Sequence, residues 1–187
     1  MTSLIFGLAM GQPGHWISAL GGLVAIWSFS SVGHVAGYDR LLLKITLATH
    51  LCTIAFWVGI LIPLKALTST EQTWPKAADL GRRFGLLAVV LVPLVIAAGG
   101  FMSFALVGSF NGLVSTSYGQ ALIGKIALVA LLLTLAAANK FRFIPELHKK
   151  SPKAAKNLTR SISAEWLAIF AILGITALLT SNLNLPM

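Results

Sequence analysis

The sequence is short of charge, of acid and of cysteine. Of its 187 residues only 10% are charged, five are Asp or Glu, and one is cysteine. Each shortage excludes something. A chain that is 57% hydrophobic, with a mean hydropathy of +0.86, cannot build a water-facing surface, so its solvent is largely lipid. The lone Cys52 lies inside an apolar run, which rules out an intrachain disulfide framework and a CxxC metal site. Its helical position is about 200° from that of His50, which assigns it to packing. HExxH, a phosphate-binding loop, Ser-His-Asp spacing and paired intramembrane carboxylates are all missing. Hydrolysis and nucleotide-driven pumping therefore have no machinery, and the chain reads as a non-enzyme.

What is present is a series of apolar runs. The composition and the run lengths predict an all-α, polytopic membrane bundle of about five transmembrane helices in one domain over residues 1–187. The spans fall near 15–36, 41–67, 84–109, 118–139 and 162–181, each long enough to cross a hydrocarbon core with some tilt. Residues 1–14 hold an apolar stretch too short to span, ending in Gly11-Gln12-Pro13-Gly14. With no basic n-region or small-x-small cleavage site, they read as an interfacial segment rather than a cleaved signal peptide.

A net charge of +9 would suggest nucleic acid in a soluble protein. Here the basic residues crowd into two connections, residues 65–83 and 140–160, with no interleaved aromatic face, so they read as topology determinants and not as a nucleic-acid surface. With those connections inside, 11 basic residues lie inside and 3 outside, counting Lys125. That places the N-terminus in and the C-terminus out. Trp16, Trp74 and Tyr118 fit an interfacial aromatic belt, and Lys125 is expected to snorkel outward.

Polar residues inside spans are costly and ask for a partner, a wet cavity or a function. On the second span Thr46, His50, Thr53 and Trp57 fall within about 60° of one helical face. On the first, Trp27, Ser30, Ser31 and His34 share a face, with His34 near the outer end. His34 and His50 then differ in depth by roughly 10 Å, which makes them successive stations rather than one site. Glu165 lies near the inner end of the last span, where Arg160 offers a plain ion pair as the alternative to a functional role. Asn139 closes the inner end of the fourth span, and Met102 on the third supplies a soft thioether. His15 and His148 are expected to be solvated. Imidazole, carboxylate and thioether form a ligand set for copper or zinc, or, through the histidines, axial ligands for a haem. The residues thus allow metal passage or a haem-binding electron-transfer protein. A purely structural accessory subunit would suit so sparse a polar track.

Several stretches, in order, resemble the copper resistance protein D (CopD) family. Gly33-His34-Val35-Ala36, Thr49-His50 and Phe56-Trp57-Val58-Gly59 are similar to that family's GHA, LH and WVGG elements. Arg82-Arg83-Phe84 opens the third span, and Gly99-Gly100 lies inside it. Tyr118-Gly119-Gln120 through Lys125 is similar to YGRxLLxK, Asn139-Lys140 through Pro145 to NRxxLxP, and Arg160-Ser161 with Glu165 to RSxxxE. Gln120 replaces the usual Arg, and Ile60 the second Gly of the WVGG element. The match covers roughly residues 15–182 and corresponds to the last five spans of eight-span members. The resemblance implies a bacterial inner-membrane protein moving copper from periplasm to cytoplasm. It implies receipt of copper from a soluble periplasmic CopC-like chaperone, since no copper-binding domain is fused. It also marks His34, His50 and Glu165 as family motif positions able to contact the ion; Met102 and Asn139, read from the residues alone, are the weaker metal candidates. Five helices with few ligands leave room for a homo-oligomer to enclose the path.

Overall fold

A computed structural model of the chain describes residues 12–28 and 41–181, with side chains described from residue 19 onward. Every regular element among these residues is helical. In a chain this apolar no other choice satisfies the backbone within each segment. The helices are α1 (Gln12–Ser28), α2 (Leu41–Leu67), α3 (Trp74–Val107), α4 (Phe110–Ser115), α5 (Ser117–Ala138), α6 (Ile144–His148) and α7 (Pro152–Ser181). A short 3₁₀ turn, Glu71–Thr73, precedes α3, and a π-helical turn, Asn139–Phe143, joins α5 to α6.

Four stretches are long and apolar enough to cross a membrane: α2, α3 with its 3₁₀ lead-in, α5 continued through α6, and α7. Between 6% and 28% of their most apolar windows is buried, so most of the apolar surface can only face lipid. The first predicted span is represented by α1, which packs on α2. The rest of that span, with His34, and residues 1–11 of the N-terminal segment lie outside the described residues.

The second span, predicted over 41–67, coincides with α2. Two others begin earlier than predicted: α3 at Trp74 rather than near 84, and α7 at Pro152 rather than near 162. The basic connections are thus largely helical. At roughly 1.5 Å per residue, the 34 residues of α3 make a rod of about 50 Å against a hydrocarbon core of about 30 Å. The excess length falls at its charged N-terminal turns, which carry Lys76, Asp79, Arg82 and Arg83. They are held by small side chains: Ala77 and Ala78 of α3 and Ala154, Ala155 and Leu158 of α7 join one buried cluster with Ile144 and Leu147 of α6, the helix that packs on both. This inner cluster, extended by Leu61, Leu64 and Trp74, is the main core of the molecule. A smaller outer cluster joins Val107, Tyr118, Leu122 and Leu179.

The ends of the helices explain their positions. α3 stops at Gly108, whose φ of 70° is left-handed. Ser109 then caps α4 by accepting from the Gly112 N–H at 3.0 Å, and Thr116 caps α5 by accepting from the Gly119 N–H at 3.1 Å. At the inner end, Thr68 Oγ1 shares a 2.7 Å hydrogen bond with Thr159 Oγ1, and Trp74 Nε1 donates to the Thr68 carbonyl at 3.1 Å. Trp74 and Tyr118 are consequently buried in the two clusters, not displayed in a lipid-interface belt.

Candidate functional site

The polar face of α2 points into the bundle. Thr53 and Trp57 are buried, and Thr46 and His50 are half-buried. Thr46 and Thr53 donate back to the carbonyls of Leu42 and Thr49 and so need no further partner. His50 and Trp57 instead reach across to other helices.

His50 packs against α3. Its Nδ1 lies 3.3 Å from the Val95 carbonyl oxygen. A carbonyl only accepts, so Nδ1 carries the hydrogen, and in the neutral ring Nε2 keeps its lone pair. Gly99 makes the approach possible: a Cβ there would stand 3.3 Å from His50 Cε1. An N–H tied to a backbone carbonyl, with the opposite nitrogen free, is how proteins orient an imidazole for a metal. Met102 follows Val95 and Gly99 along the same face of α3 and is half-buried. Lys125 of α5 is also half-buried, within electrostatic reach of His50, rather than snorkelling free.

Two turns further along α2, about 10 Å by helical rise, Trp57 meets a second polar group. Glu165 of α7 is 1% exposed. Trp57 Nε1 donates to its Oε2 at 3.4 Å, and Asn139 Nδ2 donates to its Oε1. Three of the long helical stretches therefore meet on one carboxylate. Asn139 reaches it from the first residue of the π turn, in which the Ile144 N–H bonds to the Asn139 carbonyl. Such wide turns are rare and concentrate at functional positions. Two buried polar atoms beside this group have no hydrogen-bond partner, Asn139 Oδ1 and Ser161 Oγ, the latter one turn before Glu165 on α7. The alternative ion pair does not form: Arg160 is exposed, and the ion pairs among the described residues join Arg82 and Arg83 to Asp79.

A cavity of about 210 Å³ opens beside the carboxylate. Trp57, Phe84, Gly85, Asn139, Lys140 and Glu165 are among its lining residues, and Phe84 meets the Trp57 ring edge-to-face at 5.4 Å. Of the predicted site residues, then, Glu165 and Asn139 are brought into contact. His50 stands apart on the same helix face, and Met102 lies along the α3 face it touches. Among the described residues no three His, Cys, Asp or Glu side chains converge on one point. In the sequence Trp57 was legible as a member of the α2 polar face and Ser161 as part of the Arg160-Ser161 stretch; that Trp57 donates to Glu165 depends on how the helices pack. Cys52 lies on the other side of α2, in a shallow apolar groove with Leu23, Val24 and Trp27 of α1.

A family model described as copper resistance protein D matches residues 78–179 of the chain. The chain is 30% identical over 175 residues to the copper transport protein CutJ of Bacillus subtilis (strain 168), covering 90% of this chain and 31% of that protein. To copper resistance protein D of Pseudomonas syringae pv. tomato it is 28% identical over 175 residues, covering 86% and 56% respectively. To the inner membrane protein YebZ of Escherichia coli (strain K12) it is 27% identical over 157 residues, covering 81% and 54%. It thus spans between about a third and just over half the length of these relatives. No solved structure matches it.

Proposed function

We propose that this chain, which belongs to the copper resistance protein D family, carries copper across a bacterial inner membrane from the periplasmic to the cytoplasmic side, acting as a transporter and not as an enzyme. The copper resistance and copper transport named for the family and its relatives support this reading; the direction and the residue roles are our own. The observation that carries this reading is His50, its Nδ1 tied to the Val95 carbonyl and its Nε2 left with a lone pair. Imidazole is a good copper ligand and gives the ion up when protonated.

His50 is the central ligand in this reading, with Met102 as a soft neighbour along the face of α3. His34 provides outer-side access, and Glu165 with Asn139 forms the inner exit. Stations roughly 10 Å apart suit passage better than storage, because an ion caged by three or four ligands leaves slowly. Delivery by a periplasmic CopC-like chaperone and assembly with a second copy both fit a bundle with so few ligands. Copper uptake by proteoliposomes tests the assignment. We expect His50→Ala to lose most of the native rate while keeping its helical circular dichroism; equal uptake by the two proteins would sink it.

A further inference from the structure

We propose that the cleft between α3 and α5 is a binding site for an anionic phospholipid of the cytoplasmic leaflet, with one acyl chain lying in the cleft and the headgroup phosphate on Lys140. The inference does not depend on the copper reading.

The cavity of about 210 Å³ that borders Glu165 is apolar along most of its wall. It exists because two long helices do not close on each other: α3 packs on α2 and α6, and α5 packs on α7, while α3 and α5 scarcely touch. Small residues widen the gap, Gly85 and Ala88 on the α3 side and Ala136 and Ala137 on the α5 side. The mouth lies on the lipid side, since Ala137 and Phe141 are the exposed residues of the lining. Beyond Gly85 the lining continues along α3 to Val92, about 10 Å by helical rise, within the roughly 15 Å that one leaflet contributes to the hydrocarbon core. Glu165 offers an occupant little, because both its oxygens are turned to Trp57 and Asn139. What is left is a hydrocarbon slot open to the bilayer. Empty, it forfeits dispersion contacts that the methylene groups of an acyl chain restore.

Lys140 supplies the charge that selects the lipid. Its stem lies along α3 where Gly85 leaves room: a Cβ there would stand 3.3 Å from Lys140 Cγ. Its Nζ sits 5.2 Å from the ring centroid of Phe141, a residue 73% exposed. The ammonium is therefore at the mouth of the cleft and not in its depth. Among the described residues no acid pairs with it; the ion pairs there join Arg82 and Arg83 to Asp79. The π turn sets this position, because Asn139, its first residue, turns in to Glu165 and Lys140, the next, reaches the exposed ring. Basic connections are kept on the cytoplasmic side during insertion. Anionic lipids give that surface its negative potential, and basic pockets between helices on that side take anionic headgroups. A phosphate on Lys140 puts its acyl chains at the opening beside Ala137. A zwitterionic lipid brings a compensating cation to the same place, so the site distinguishes lipids by headgroup charge.

Native mass spectrometry of the whole protein, released from detergent micelles containing phosphatidylglycerol or phosphatidylcholine, tests this by counting bound lipid. The native protein should retain phosphatidylglycerol in preference. Lys140→Gln should weaken that lipid about fivefold, the worth of one basic residue near an anionic surface. Lys140→Arg should keep the preference, and so should Lys153→Gln, which removes an exposed lysine from the same end of the bundle outside the cleft lining. Ala88→Leu fills the slot and should weaken both lipids while its helical circular dichroism stays native; Ala137→Leu, at the exposed mouth, gives the same reading if Ala88→Leu fails to fold. Equal retention of the two lipids by the native protein would overturn the proposal. So would native retention in Lys140→Gln, or an equal loss in Lys153→Gln, which would make the preference a diffuse effect of surface charge. Undiminished phosphatidylglycerol binding in the folded leucine variants would place the chain elsewhere and overturn it too. Inorganic phosphate in excess should leave the lipid bound; full displacement would reduce the site to one for free phosphate and overturn the lipid assignment. No step of this test involves copper, so its outcome and that of the His50→Ala uptake assay are read separately.

Discussion

Asn139 uses one side of its amide and leaves the other idle. Nδ2 donates to Glu165, while Oδ1 is buried without a partner. Ser161 Oγ is in the same position one turn from the carboxylate. These two residues should respond to substitution in different ways. Asn139→Leu removes a donor to a buried acid and should cost about 1.5–3 kcal/mol, the usual worth of a hydrogen bond to a charged group. Ser161→Ala deletes a hydroxyl that bonds to nothing and should be neutral, or stabilising by up to about 1 kcal/mol. Thermal unfolding in detergent, followed by circular dichroism, separates the two. Equal losses would mean that Ser161 holds a partner after all. At this scale the sequence was informative about residue type: His50, Glu165 and Asn139 stand out because lipid penalises them. It was silent about pairing. Arg160 is the nearer base along α7, yet Glu165 faces Trp57 and Asn139, since five residues along a helix turn two side chains well apart while i and i+4 share a face.

At the scale of elements, hydropathy located the lipid-crossing parts of the helices and missed their inner extensions. α2 was legible to the residue because Gly37-Tyr38-Asp39-Arg40 precedes it and Thr68 to Thr70 follow it. The starts of α3 and α7 were not, because their inner turns mix lysine and arginine with the alanines that pack. An average over such a segment reads as a polar loop. The π turn was also invisible, since its five residues carry no signature of an extra residue in the turn. Glycines show how much the junctions depend on local fit. A Cβ on Gly119 would fall on the carbonyl oxygen of Leu113, where α4 meets α5, whereas one on Gly100 in α3 meets nothing within 4 Å. Gly119→Ala should therefore destabilise by about 1–3 kcal/mol, as overpacking does. Gly100→Ala should stabilise by up to about 1 kcal/mol through helix propensity. Denaturant unfolding of the two variants checks the contrast; a neutral Gly119→Ala would show that the α4–α5 junction yields freely.

For the whole molecule, the inner core and the basic residues coincide. The alanine-faced extensions of α3 and α7 pack into the largest buried cluster, and their outward faces carry Lys76, Arg82, Lys153 and Lys156, all exposed. The best-packed end of the bundle is also its most positive end. Positive loops are retained on the cytoplasmic side during insertion, so the basic end, with Glu165 and Lys140 near it, should face the cytoplasm. The end carrying α4 should face the periplasm, with the half of α2 that bears His50 nearer to it. This orientation is what gives the stations an order, and it can be measured without any copper. In a Cys52→Ser background, Asn111→Cys in α4 and Lys150→Cys after α6 both place a thiol at an exposed position. In intact cells an impermeant maleimide should label Asn111→Cys and leave Lys150→Cys unlabelled until the membrane is opened. The reverse pattern would turn the bundle over, and with it the inward direction assigned to the path from His50 to Glu165.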